Sequence, residues 1–68
     1  MKTPIKNILT FIYNEGDIRI GEAGATLRAL QIALNLNLVV ANQIDSKGVA
    51  TRFKLTAYGY DIASKLVA

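Results

Sequence analysis

Three polar side chains interrupt the apolar stretch between Thr26 and Asn37: Arg28, Gln31 and Asn35. Their i, i+3, i+7 spacing puts them on a single stripe of an α-helix. As chemistry this is a hydrogen-bonding set with no nucleophile in it. A guanidinium can bond the edge of a guanine through two atoms, and a carboxamide can do the same to adenine. A second group lies downstream, where Lys47 precedes Gly48 and where Arg52 and Lys54 alternate with Thr51, Phe53 and Leu55. In a strand that alternation places Ala50, Arg52 and Lys54 on one face and Val49, Thr51, Phe53 and Leu55 on the other. Cations so arranged suit phosphate oxygens, which give affinity without sequence preference. Lys2 and Lys6 add charge near the start of the chain. Each group also has a plain structural explanation. A polar stripe is the solvent face of any amphipathic helix, and basic residues on a hairpin protect its edge from aggregation.

The residue types present argue against catalysis. Histidine and cysteine are both absent, which removes the commonest general base, the commonest metal ligand and any disulfide or thiolate. Gly21-Glu22-Ala23-Gly24 echoes a glycine loop but lacks the lysine that phosphate-cradling loops carry. Glu15 and Asp17 flank Gly16 and read as solvated turn residues. The expectation is a protein that is not an enzyme and has no metal or cofactor.

The elements that must position these groups are legible from periodicity. Pro4 suits a first helical turn and Thr3 a cap, and Ile5, Ile8, Leu9 and Ile12 recur at helical spacing, so residues 4–14 read as a helix ended at Gly16. Residues 17–20 alternate as a very short strand, and 21–24 form a turn or a single helical turn. Thr26 caps a second helix to about Leu36, closed by Asn37. Leu27, Leu30 and Leu34 form one apolar line on it, and Ala29, Ile32, Ala33 and Leu36 a second. Residues 38–45 and 49–55 are two strands joined by the turn Ser46-Lys47-Gly48. Thr56 caps a last helix whose apolar side is Ile62, Ala63, Leu66 and Val67. Gly59 in its first turn weakens that helix and allows close packing against the hairpin. Tyr13, Tyr58 and Tyr60 read as core or rim residues. The fold class is α+β, with helices packed on one face of a small antiparallel sheet.

The segment from Leu38-Val39 through the hairpin to Phe53-Lys54-Leu55-Thr56-Ala57-Tyr58-Gly59-Tyr60-Asp61-Ile62-Ala63 resembles the second half of bacterial winged helix-turn-helix regulators. Members of the MarR and PadR types often end their hairpin in an aromatic-basic-Leu-Thr-x-x-Gly pattern followed by a helix. Thr26-Leu27-x-Ala29-Leu30 is similar to the start of a PadR-type recognition helix. The resemblance covers roughly residues 17–66. It implies a winged helix-turn-helix domain that binds double-stranded DNA. Arg28, Gln31 and Asn35 would then lie on the recognition helix, and Lys47, Arg52 and Lys54 on the wing. The family has two helices between its first strand and its hairpin, and here only a turn around Gly21–Gly24 is available for the first of them. A module of the same fold that docks a protein partner is the alternative, and the shortened helix-turn-helix favours it.

The bulk composition sets the frame. Sixty-eight residues make one domain, 1–68, with eight basic and five acidic residues and a net charge of +3. A chain of this size buries only about 60% of the surface its unfolded form exposes. Its 51% apolar content must therefore supply a dense core or a subunit contact. A homodimer is expected, through Ile32 and Leu36 or through Ile62, Leu66 and Val67, and two copies would suit a palindromic site. No stretch resembles a secretory signal, and Ala29–Ala41 is too short and polar to span a bilayer. A cytoplasmic protein without membrane association is expected.

Overall fold

The computed structural model describes residues 2–68. Helix α1 spans Thr3–Glu15, strand β1 Ile18–Arg19, helix α2 Leu27–Asn35, strand β2 Val39–Ile44, strand β3 Ala50–Leu55 and helix α3 Ala57–Val67, with a 3₁₀ turn at Glu22–Gly24 between β1 and α2. The class is α+β: three helices and one antiparallel sheet of order β1-β3-β2.

Helix α1 forms because Ile5, Ile8, Leu9 and Ile12 present one continuous apolar face, and all four are buried. Lys2, not Thr3, is its N-cap, and the Thr3 hydroxyl caps nothing. Amides of Ile5 and Lys6 bond the Lys2 carbonyl instead, each at 3.1 Å, so the start is set by backbone and by Pro4 in the first turn. Gly16, at φ 100°, stops the helix by returning its amide to Ile12. The core continues through Ile18, Ala25, Ala29, Leu30, Ala33, Leu38, Val39, Phe53 and Ala63. Each large buried side chain in it contributes about 1.5–3 kcal/mol.

Helix α2 is capped at both ends as its sequence implies. The Thr26 hydroxyl accepts from the Ala29 amide at 3.1 Å. At the far end Asn37 adopts φ 60°, its amide bonds Leu34, and the Leu38 amide bonds Ala33 at 2.9 Å. That is the paired bond pattern of a Schellman stop. Only Ala29, Leu30 and Ala33 of this helix are buried. Neither apolar line read from the sequence is buried as a line: Leu27, Ile32, Leu34 and Leu36 are all exposed. The two alanines let the helix sit low on the core, and nothing then rises to cover the bulky residues beside them.

The hairpin tip is fixed by Asp45, whose carboxylate accepts from the amides of Lys47 at 2.9 Å and Val49 at 3.0 Å. Below the tip the strands do not alternate as the sequence suggests. Ala41 faces Phe53, Gln43 faces Arg52, and Ile44 faces Ala50. One extra residue therefore sits on each strand, Asn42 on β2 and Thr51 on β3. The second bulge reverses the faces beyond it: Ala50 packs against the core, whereas Val49 is exposed.

Helix α3 is joined to the rest through Thr56. Its hydroxyl accepts from the Gly59 amide at 2.9 Å and donates to the Asn37 carbonyl at 2.6 Å, while its own amide bonds the Leu38 carbonyl at 3.1 Å. Gly59 is buried directly against that carbonyl. A Cβ there would overlap the Leu38 oxygen and stand 2.8 Å from its carbon. Of the apolar side, Ala63 is buried and Ile62 packs against the core, but Leu66 and Val67 stay exposed. Gly59→Ala is therefore expected to destabilise the domain by about 2–3 kcal/mol, because the obstructing atoms are backbone. Thr56→Ala is expected to cost about 1 kcal/mol and Thr56→Ser much less. Urea titrations of the three variants measure both, and a wild-type midpoint for Gly59→Ala would contradict this packing.

Candidate nucleic-acid interface

The outward surface of α2 is built around Gln31. Its four neighbours on a helix surface are the residues three and four positions away: Leu27, Arg28, Leu34 and Asn35. All five side chains are exposed, since the buried residues of α2 are Ala29, Leu30 and Ala33 on the opposite side. Arg28, Gln31 and Asn35 have no hydrogen-bond or ion-pair partner within the protein among the described residues. They are free to bond something else. Helix α2 carries no acidic residue.

The cations expected on the hairpin separate into two kinds. Lys47 at the tip and Lys54 on β3 are exposed and make no ion pair among the described residues. Arg52 is spent internally. Its Nη1 lies 3.2 Å from Asp17 Oδ1, and the bulged Asn42 donates to the other oxygen of that carboxylate at 3.3 Å. Arg52 stands opposite Arg19 across the β1–β3 pair. Like charges so placed repel, and each is offset by its own acid. Arg19 Nε lies 3.8 Å from Glu22, whose carboxylate also accepts the Arg19 amide at 2.8 Å. Lys65 pairs with Asp61 at 3.3 Å. Lys2, Lys6, Arg28, Lys47 and Lys54 are therefore the cations among the described residues that make no ion pair.

Two shallow clefts locate these groups along α1. One, of about 230 Å³, is lined by Lys2, Ile5, Arg28 and Ile32 at the N-terminal end of the helix. The other, of about 240 Å³, is lined by Tyr13, Gly16, Lys54 and Tyr60 at its C-terminal end. The first touches α1 at Ile5 and the second at Ile12 and Tyr13, so the two lie about 11 Å apart along the helix. Lys6 is exposed in the first turns of α1.

The sequence gives no local sign of the Asp17–Arg52 pair, because its partners are 35 positions apart. It also gives no sign that Leu27 and Leu34 flank Gln31 in solvent. The one hint of the first is an acid immediately before a strand whose partner strand carries an arginine.

Tyr13 and Tyr60 stack with ring centroids 5.1 Å apart, tilted by 36°. Tyr13 is half-buried, whereas Tyr58 and Tyr60 are exposed. Hydrogen bonding to the Tyr60 phenol, then the charge Tyr60 would carry, then burial all push the Tyr13 pKa above its ordinary 10.0. No helix among the described residues is long and apolar enough to cross a membrane. No protein-family model matches the chain, and neither does any curated protein or solved structure.

The Tyr13 shift has a measurable sign. The folded state holds this proton beyond pH 10.0, so the pair's contribution is complete below that pH and is lost as pH rises through the folded value. Phenolate absorbance should show Tyr13 titrating at higher pH in the wild type than in Tyr60→Phe. Superimposable titrations of the two proteins would contradict the coupling.

Proposed function

We propose that this protein is a small winged helix-turn-helix domain that binds double-stranded DNA, with α2 as the recognition helix and the β2–β3 hairpin as the wing. The observation that carries this reading is the outward group Arg28, Gln31 and Asn35, unpaired within the protein and accompanied by four lysines, Lys2, Lys6, Lys47 and Lys54, that make no ion pair among the described residues. The element order and the β1-β3-β2 sheet are compatible with it.

In this reading the α2 stripe supplies sequence preference, and Lys2, Lys6, Lys47 and Lys54 supply phosphate contacts. Arg52 is a positioning residue: it holds β1 to β3 through Asp17 and contributes little charge to the surface. The single 3₁₀ turn at Glu22–Gly24 takes the place of the first helix of the motif. A transcriptional regulator of this size would act by occupancy, as a homodimer or with a partner protein.

A second reading is favoured by one observation. Leu27 and Leu34 are exposed side by side on one flank of α2, and Ile32 and Leu36 on the other, and exposed apolar groups so paired mark interaction surfaces. The same fold would then dock a protein rather than a duplex.

Electrophoretic shift with duplex DNA across a salt series separates the two. Neutralising about four phosphates gives a slope of log K against log salt of about −3 to −4 per monomer. Lys54→Ala should weaken binding to all sequences alike, Arg28→Ala should lower discrimination between sequences, and Arg52→Ala should change affinity least. Absence of any complex at low salt sinks the DNA reading.

A further inference from the structure

The exposed leucines beside Gln31 bear on what α2 would read. We infer, resting on the DNA reading above, that α2 selects A·T pairs: the Gln31 carboxamide bonds an adenine edge while Leu27 and Leu34 pack on thymine methyl groups. Thymine is the base whose major-groove edge carries a methyl, and apolar side chains are its matching contact. Gln31 lies between Leu27 at i−4 and Leu34 at i+3, and on its other side between Arg28 at i−3 and Asn35 at i+4. The surface is thus half apolar and half hydrogen-bonding, split along the helix axis. Leu27 is 56% and Leu34 37% exposed, so both are reachable by a groove wall without any rearrangement of the core.

Charge decides which occupant this face suits. Arg28 borders it on the hydrogen-bonding side and shares with Lys2 a cleft that continues that side towards α1. Helix α2 has no acid. The acids elsewhere are largely engaged: Asp17, Glu22 and Asp61 in ion pairs and Asp45 in the hairpin turn. A second copy of the same positive surface would be repelled, whereas a polyanion would be drawn in. An apolar row beside a hydrogen-bonding row that carries an unpaired arginine fits the edge of a duplex, which offers methyl groups and acceptors next to phosphate.

The test uses the whole chain and duplexes selected by it from a randomised pool. Selected sites should contain A·T pairs at fixed positions. Replacing the thymines there by deoxyuridine removes only the methyls, and affinity should fall about fourfold for each contacted methyl, the equivalent of one buried methylene. In Leu27→Ala and Leu34→Ala that dependence should shrink towards onefold, while Lys54→Ala should keep it in full despite weaker binding. Circular dichroism checks that the variants remain helical. Equal affinity for the thymine and uracil duplexes overturns this inference and leaves the DNA reading intact. Failure to select any duplex overturns both. A Leu27→Ala variant that loses self-association while retaining full methyl dependence assigns the row to a subunit contact and also overturns it.

Discussion

The carbonyl of Leu38 is the point on which the arrangement of this domain depends. It accepts the amide of Thr56, and the first turn of α3 lies against it with no room for a side chain at residue 59. The same threonine takes the Gly59 amide with its hydroxyl and gives its proton to Asn37. Asn37 in turn is the left-handed residue that ends α2. The end of one helix, the start of the hairpin and the start of the last helix are thereby fixed within a few residues of one another. With only thirteen buried apolar residues among those described, the core alone would hold these elements loosely. A junction saturated in hydrogen bonds supplies direction that hydrophobic burial lacks.

The hairpin leaves this junction in a defined direction, and its two bulges then decide where its charges go. Asn42, displaced from the ladder, reaches the Asp17 carboxylate together with Arg52. This draws β1, only two residues long, onto the central strand. An ion pair with both side chains about one-third exposed adds little stability. Its effect is on register and on the surface charge: it removes one cation from the wing and keeps Arg19 and Arg52 from opposing each other unscreened. Of the remaining cations, Lys2 and Arg28 meet at one end of α1 and Lys54 lies at the other.

Much of this was legible in the residues. Thr26, Asn37 and Thr56 act as the caps their types suggest, Gly16 stops α1, and the turn before Gly48 closes the hairpin. Local chemistry determines such features, so local sequence shows them. Arg28, Gln31, Asn35, Lys47 and Lys54 stand in solvent, as the polar stripe and the alternation of β3 suggest. The departures arise where the outcome depends on a distant partner. Thr3 loses its capping role because the chain begins its helix one residue earlier. Val49 and Ala50 exchange faces because a bulge at Thr51 shifts the alternation. Arg52 is claimed by a carboxylate far away in the chain.

The reading of α2 shows how a pattern can be correct and its burial not. Leucine at 27, 30 and 34 has the spacing of a buried ridge, and a helix with that ridge is expected to turn it inward. Ala29 and Ala33 reverse the preference. Their small side chains permit a closer approach to α1 and β2 than leucine would, so the helix rotates to bury the alanines with Leu30 and leaves Leu27 and Leu34 outside. The gain is tight packing around Leu30, which is wholly inaccessible to solvent. The cost is an apolar strip retained in water, of order 25 cal/mol for each Å² left uncovered. The alanines thus decide the rotation of α2, and with it that a carboxamide, Gln31, stands in water flanked by two leucines.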